Sequence, residues 1–194
     1  MPDAPSQPND PATTPVLPYK IACLCDLRDK DGRLLLLHRL KAPNKGLVSP
    51  IGGKLEMGLG ESPAECAQRE IQEEAGIHVP LDRLHLMGLI AETAFEGSTH
   101  WLLFYYRVLG PVEVAEGPMD EGELKWHDPA DLDDLPVPVT DREIIWPLVA
   151  QHEHGGPPGS ALPGFFAVHI DCRGDELKWN VEQSLPAGGP LPGA

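Results

Sequence analysis

Apolar, β-prone residues fill two runs near the start of the chain, residues 19–27 and 33–39, and the polar segment Arg28-Asp29-Lys30-Asp31-Gly32 divides them. Two such runs around a short glycine-ended turn predict a β-hairpin. Lys41-Ala42-Pro43-Asn44-Lys45-Gly46 is loop chemistry, after which residues 47–51 predict a short strand ending at the pair Gly52-Gly53. Further on the period changes. On a wheel of about 100° per residue, Ala67, Ile71 and Ala75 fall within roughly 60° of Ala64, which predicts a helix with one packing face. Both its ends are marked. Ser62-Pro63-Ala64-Glu65 combines an N-cap, a proline at the first helical position and a capping-box glutamate. Gly76 provides a left-handed C-terminal cap, with Ile77 to pack behind it.

Alternation returns in residues 84–92 and 100–109, two strands joined through Phe95-Glu96-Gly97-Ser98, and in a short strand at 124–127. Residues 141–152 predict a second helix despite Pro147. A Gly- and Pro-rich loop follows at 154–163, and residues 165–172 and 176–181 predict a last hairpin around Arg173-Gly174-Asp175. Strands around a central helix, with a second helix near the end, imply an α/β fold in which a mixed sheet is covered on both faces. The 194 residues suit one domain at 19–153 with a C-terminal loop and hairpin at 154–185. The Pro-rich tail 1–18 and the tail 186–194, made only of Pro, Gly, Ala and Leu, are expected to be disordered.

Charge narrows the partners. A net charge of −15 repels a nucleic-acid polymer, whose non-specific binding needs clustered Lys and Arg. No apolar run approaches the eighteen or so residues of a membrane helix, and the N-terminus has no signal-peptide pattern, so no membrane partner and a cytoplasmic location are expected. Cys23, Cys25, Cys66 and Cys172 lack the paired spacing of a zinc site and read as reduced structural thiols, Cys23 and Cys25 on one face of a strand. His152 and His154 show no metal-binding spacing and read as surface residues. Phe95, Trp101 and Trp126 could stack on a base, but their places in or beside strands favour core packing.

The chemistry lies on the first helix. Glu70, Glu73 and Glu74 project within a sector of about 100°, away from the apolar stripe. The ordinary alternative is a solvated face. Yet Glu73 and Glu74 occupy the last turn, where the helix dipole disfavours negative charge, and like charges at these spacings repel by a few tenths of a kcal/mol per pair. A divalent cation reverses that cost. Carboxylates are the ligands that hard magnesium prefers, and those not bound to it can act as general base. Upstream, Gly52-Gly53-Lys54 lets backbone approach a metal or a diphosphate, or forms a simple turn.

Gly53, Glu61 and Arg69-Glu70-Ile71-Gln72-Glu73-Glu74-Ala75-Gly76-Ile77 resemble the Nudix box, G-x5-E-x7-R-E-U-x-E-E-x-G-U with U aliphatic. Every fixed position from Glu61 onward agrees. Seven residues rather than five separate Gly53 from Glu61, which places a two-residue insertion within Met57-Gly58-Leu59-Gly60. A loop takes such an insertion at small entropic cost, and the place of the Gly53 carbonyl is what it bears on.

The resemblance spans about residues 19–151 and implies a Nudix α/β/α sandwich, extended by the C-terminal hairpin as in MutT-like members. It implies Mg2+, or Mn2+, held by Glu70, Glu73, Glu74 and the Gly53 carbonyl, with Arg69 paired to Glu61 as structural support. Glu73, Glu74 and Glu121 are the catalytic candidates, Asp120 and Glu123 competing with Glu121, and the general base among them is open. Arg39, Lys54 and Asp141 are the implied substrate-binding residues. Asp141 either reads a purine or caps the last helix.

Asn44-Lys45-Gly46-Leu47, Leu132-Asp133-Asp134-Leu135-Pro136 and Thr140-Asp141-Arg142 resemble MutT-type nucleoside triphosphatases. Ala91 stands where ADP-ribose hydrolases tend to carry proline, and Thr93 and Ala94 where dinucleoside polyphosphate hydrolases carry tyrosine. The implied reaction is hydrolysis of a nucleoside triphosphate, such as 8-oxo-dGTP, to monophosphate and pyrophosphate. Cleavage of ADP-ribose or a nucleotide sugar, and a non-catalytic nucleotide sensor, are the alternatives.

Overall fold

The computed structural model describes residues 16–41, 44–156 and 162–185. Most of both tails and part of the loop at 154–163 lie outside the described residues. In chain order the strands are β1 (Tyr19–Asp26), β2 (Leu34–Arg39), β3 (Val48–Ser49), β4 (Leu84–Phe95), β5 (Thr99–Val108), β6 (Gly117–Met119), β7 (Gly122–His127), β8 (Phe165–Asp171) and β9 (Lys178–Leu185). Helix α1 (Pro63–Ala75) lies between β3 and β4, and α2 (Trp146–Gln151) between β7 and β8. No described helix is long and apolar enough to cross a membrane.

The strands form a mixed sheet in the order β1-β5-β4-β8-β9 and an antiparallel sheet in the order β3-β2-β7-β6. Alternation along β5 shows how the layers are held. Tyr106 and Val108 enter one core with Cys66, Ala67 and Ile71 of α1 and Leu35 and Leu37 of β2. Leu103 and Tyr105 enter the opposite core with Ile144, Ile145, Leu148 and Val149 of the second helical segment. Each face of the mixed sheet therefore has its own cover, which is the α/β class expected.

The hairpin expected over residues 19–39 forms only around its turn, where Arg28 bridges Leu34 and Leu35 N–H donates to Leu27 O (3.0 Å). β1 pairs in parallel with β5, while β2 joins the other sheet. The outer edge of β1 is taken by the loop before α1: Cys23 N–H donates to Gly53 O (2.9 Å), Cys25 N–H to Ile51 O (2.8 Å) and Leu55 N–H to Ile21 O (3.1 Å). The polar turn sets the reversal of the chain, but partner choice depends on contacts far away in sequence, and here it sets the glycine loop against the sheet.

The second helix also departs from expectation. Residues Asp141–Ile145 form a wide π-type turn, closed by Trp146 N–H to Asp141 O, and only then does α2 run. Pro147 has no N–H for a regular turn across this point, so the widened geometry accommodates it. The expected helix cap at Asp141 is absent, since no side chain caps this segment. His154 is exposed as expected. His152 is not: it is 2 % exposed, Nδ1 donating to Leu148 O (2.7 Å) and Nε2 meeting Ser184 Oγ (2.8 Å). The C-terminal hairpin β8–β9 covers it, a contact that local sequence does not announce.

Candidate active site

Helix α1 is built as its sequence dictates. Ser62 Oγ accepts from Glu65 N–H (3.3 Å), the Glu65 carboxylate accepts from Ser62 N–H (2.9 Å), and Gly76 closes the helix at φ 70°. Arg69 then ties the helix to the preceding loop. It grips Glu61 with two bonds (2.8 and 3.1 Å), donates to Lys54 O (3.1 Å), and reaches Glu70 (2.7 Å) and Glu73 (3.2 Å). The same guanidinium holds the Glu61 carboxyl below its ordinary range. Glu61 also accepts from Glu56 N–H (2.8 Å), so the insertion is pinned at both ends. It bulges outward as a single tight turn, Met57–Leu59, leaving Leu59 81 % exposed.

The two glycines have separate tasks. A Cβ on Gly52 would lie 2.2 Å from Cys23 O, and one on Gly53 would lie 2.2 Å from Glu70 Oε1. Gly52 lets the loop press against β1, and Gly53 leaves room for the Glu70 carboxylate. The Gly53 carbonyl accepts from Cys23 N–H and from the Cys66 thiol (3.5 Å), both on the core side. Gly52 N–H donates to Glu74 Oε2 (3.0 Å).

These groups border a cleft of about 380 Å³. Glu70, Glu74 and Glu121 line it together, with Arg39 and Lys54 supplying positive charge. Glu121 stands in the turn before β7 and bonds to Arg39 (3.0 Å) at the end of β2. Of its competitors, Glu123 pairs with Lys125 (2.7 Å) and Asp120 is exposed, and neither lines the cleft. Glu73, expected among the metal ligands and catalytic residues, does not join the group: it is 58 % exposed and turned to Arg69.

Burial is the main influence on the clustered carboxyls. Burial raises Glu70, Arg69 opposes it, and the charges of Glu73 and Glu121 add to the rise. Glu74 is pushed up to about 7 by burial and by the charges of Glu70 and Glu121, which Gly52 N–H and Arg39 offset only in part. Among the described residues no three Asp, Glu, His or Cys side chains stand gathered as a finished metal cage. The carboxylates are held instead by Arg69, Gly52 N–H and Arg39.

The same cleft contains residues that sequence reading assigned elsewhere or passed over. Trp126, which donates to Val114 O (3.1 Å), and Trp101 both pack on a core as expected, but Trp101 also lines the cleft, as does Phe95. Asp141 faces it, 7 % exposed and pushed up to about 8 by burial and by the charge of Glu92. Glu92 was missed. It lies on β4, is 4 % exposed, and burial pushes it up to about 7 against a bond to Thr140. Its signal was the phase of the strand: Ile90, Glu92 and Ala94 are successive inward positions, and a charged residue there is out of pattern.

The model for the NUDIX domain matches residues 18–146. A Bacillus subtilis (strain 168) protein named "Uncharacterized Nudix hydrolase YvcI" is 29 % identical over 116 residues, 59 % of this chain and 70 % of that protein. A second protein of that organism, named "Putative 8-oxo-dGTP diphosphatase", is 33 % identical over 112 residues, 58 % of this chain and 68 % of its own length. Among solved structures, the MutT protein of Bacillus halodurans aligns with a TM-score of 0.62 at 25 % identity, covering 84 % of this chain and 97 % of that one. Nudix hydrolases as a family use divalent metals and act on small nucleotide substrates. Matched by that model over more than half its length, with the box helix and its glutamates in place, the chain belongs to the Nudix family and is a MutT-like pyrophosphohydrolase.

Proposed function

We propose that the chain hydrolyses a nucleoside triphosphate to the monophosphate and pyrophosphate, with Mg2+ held by Glu70 and Glu74 beside Glu121. The observation that carries this reading is the crowding of these three carboxyls in one cleft. Burial and mutual repulsion push Glu74 up to about 7, an arrangement that is unfavourable until a cation joins it. The donor set fits, being all oxygen, and Gly53 leaves the space that lets Glu70 take its place there. Mn2+ suits the same oxygens. Bound there, the cation supplies neutralisation of the diphosphate oxygens and polarises the phosphorus under attack.

The protein's own groups do the rest. Arg39 and Lys54 attract and orient the phosphates in a chain that otherwise repels anions. Arg69 and Glu61 hold the loop and helix in register. A carboxylate not engaged as ligand takes the proton of the attacking water, and Glu121, carried by a different element from the helix pair, is our choice. Asp141 lies in the cleft where a base would contact it. The relative named as an 8-oxo-dGTP diphosphatase supports a triphosphate and makes an oxidised purine the first candidate.

The test is incubation with Mg2+ and a panel of nucleoside triphosphates, 8-oxo-dGTP, ADP-ribose and nucleotide sugars, with products separated by chromatography. Monophosphate plus pyrophosphate from a triphosphate is the expected outcome. Cleavage confined to ADP-ribose or a nucleotide sugar replaces the substrate, and binding without cleavage of any of them overturns the reading.

A further inference from the structure

His38 and His127 lie 89 residues apart in sequence, so no spacing motif announces them, yet the fold brings their rings together. His38 follows Leu34 and Leu36 on the face of β2 that looks away from α1: those two pack with Val48 and Val137, while Leu35 and Leu37 enter the core of α1. His127 ends β7, the neighbouring strand. Both rings are partly buried, and their Nε2 atoms stand 2.9 Å apart.

Burial and the Lys125 ammonium hold both imidazoles below their ordinary range, and the two rings depress His38 further by facing each other. Both are therefore neutral at neutral pH. One such ring can donate its N–H to the other, and that bond accounts for the contact. It does not account for the surroundings. Glu123 acts on His38 as a negative charge, and Glu116 and Asp131 act on His127. Lys125, the cation beside them, is itself paired with Glu123 (2.7 Å). With those two charges cancelling, Glu116 and Asp131 match a dication that two neutral rings alone do not supply.

We propose that His38 and His127 form a second metal site, which takes a borderline transition-metal ion such as Zn2+ through the two Nε2 atoms. Imidazole suits Zn2+, Ni2+ and Cu2+, whereas Mg2+ prefers oxygen, so this pair and the glutamates of the cleft select different ions. Two nitrogens bound at about 2.0–2.1 Å to a tetrahedral ion stand about 3.3 Å apart. That is slightly beyond the present contact and within reach of small rotations of two partly exposed rings. Binding needs both rings as the Nδ1–H tautomer, so the ion replaces an N–H···N bond without releasing a proton. No third His, Cys, Asp or Glu among the described residues completes a cage, which leaves the other positions to water. An ion there pins β2 to β7, the strands beside whose ends Arg39 and Glu121 meet.

Zn2+ is titrated calorimetrically into the full chain in excess Mg2+, which competes for the carboxylates of the cleft and not for imidazole. Binding is expected. His38→Asn and His127→Asn should each weaken it by about 10-fold or more, at least the cost of losing an outer-shell partner, while Glu74→Gln leaves it unchanged. Ring 15N spectra of the wild type give a readout that does not depend on a variant's folding: Zn2+ is expected to shift the Nε2 resonances of two of the eight histidines. No binding in excess Mg2+, binding that survives both histidine substitutions or is lost with Glu74→Gln, or binding that leaves the histidine resonances in place overturns the site. Such a failure leaves the proposed hydrolysis untouched, since neither histidine lines the cleft.

Discussion

The two helices that cover the mixed sheet are held by different means. Helix α1 runs 13 residues between a complete capping box and a left-handed glycine, so its limits are written in its own sequence. Helix α2 has 6 residues, no side-chain cap and a π-type entry, and it is held by two buried aliphatic residues of its own, two of the entry turn, and the C-terminal hairpin that closes over His152. Glu70 and Glu74, the proposed metal ligands, ride on the first. Asp141, which lines the same cleft, rides at the entry to the second. The proposed chemistry is thus attached to the element with local support, and the proposed base-binding side of the cleft to one that depends on distant contacts.

That contrast can be broken in several ways. Glu74→Gln is expected to lower kcat by about 100-fold or more with an unchanged melting profile, since the charge is removed from an element that does not need it to fold. Near-normal turnover would show that the acidic face of α1 is only a solvated surface. Asp141 sharpens the contrast through pH. Its carboxyl, raised to about 8 in the folded chain, keeps a proton that the unfolded chain releases near 4, so stability is full below about pH 4 and falls as pH rises toward 8. Glu92, raised to about 7, acts in the same direction. Asp141→Asn should flatten this decline in a series of melts across that range, and an unaltered decline would mean that the acid is not buried as described.

Smaller effects concern the supports themselves. His152→Ala removes two hydrogen bonds and a buried ring, and about 1–3 kcal/mol of stability is expected to go with them in urea unfolding. A loss too small to measure would sever α2 from β9. Ser62→Ala should cost about 1 kcal/mol, because one cap is lost from a helix whose other end and packing face remain. A cost of several times that would mean that α1 leans on its cap as heavily as α2 leans on the hairpin.

The same division decides what could be read from sequence. Caps, the apolar stripe, the Arg69–Glu61 tie and the clustering of Glu70 with Glu74 follow from spacing within α1, where neighbours in sequence are neighbours in space. Strands β4, β5, β8 and β9 were visible as alternating runs. The partner of β1 was not, because alternation determines which side a residue faces and not which strand lies alongside. Burial of His152 depends on β9, and the exclusion of Glu73 from the cleft on its bond to Arg69. Glu92 was legible in principle, as an acid in an inward phase of β4. One acid among apolar inward neighbours leaves the alternation of the strand intact, and the pattern masks it.

The loop that seats the glutamates also closes the free side of β1. An uncovered strand edge is a template on which another chain can add itself, and proteins guard such edges by covering them. Here the guard and the active-site loop are one segment. Changes at Gly52 or Gly53 that push the loop away from β1 would therefore damage turnover and solubility together, and selection for either property restrains the same few residues.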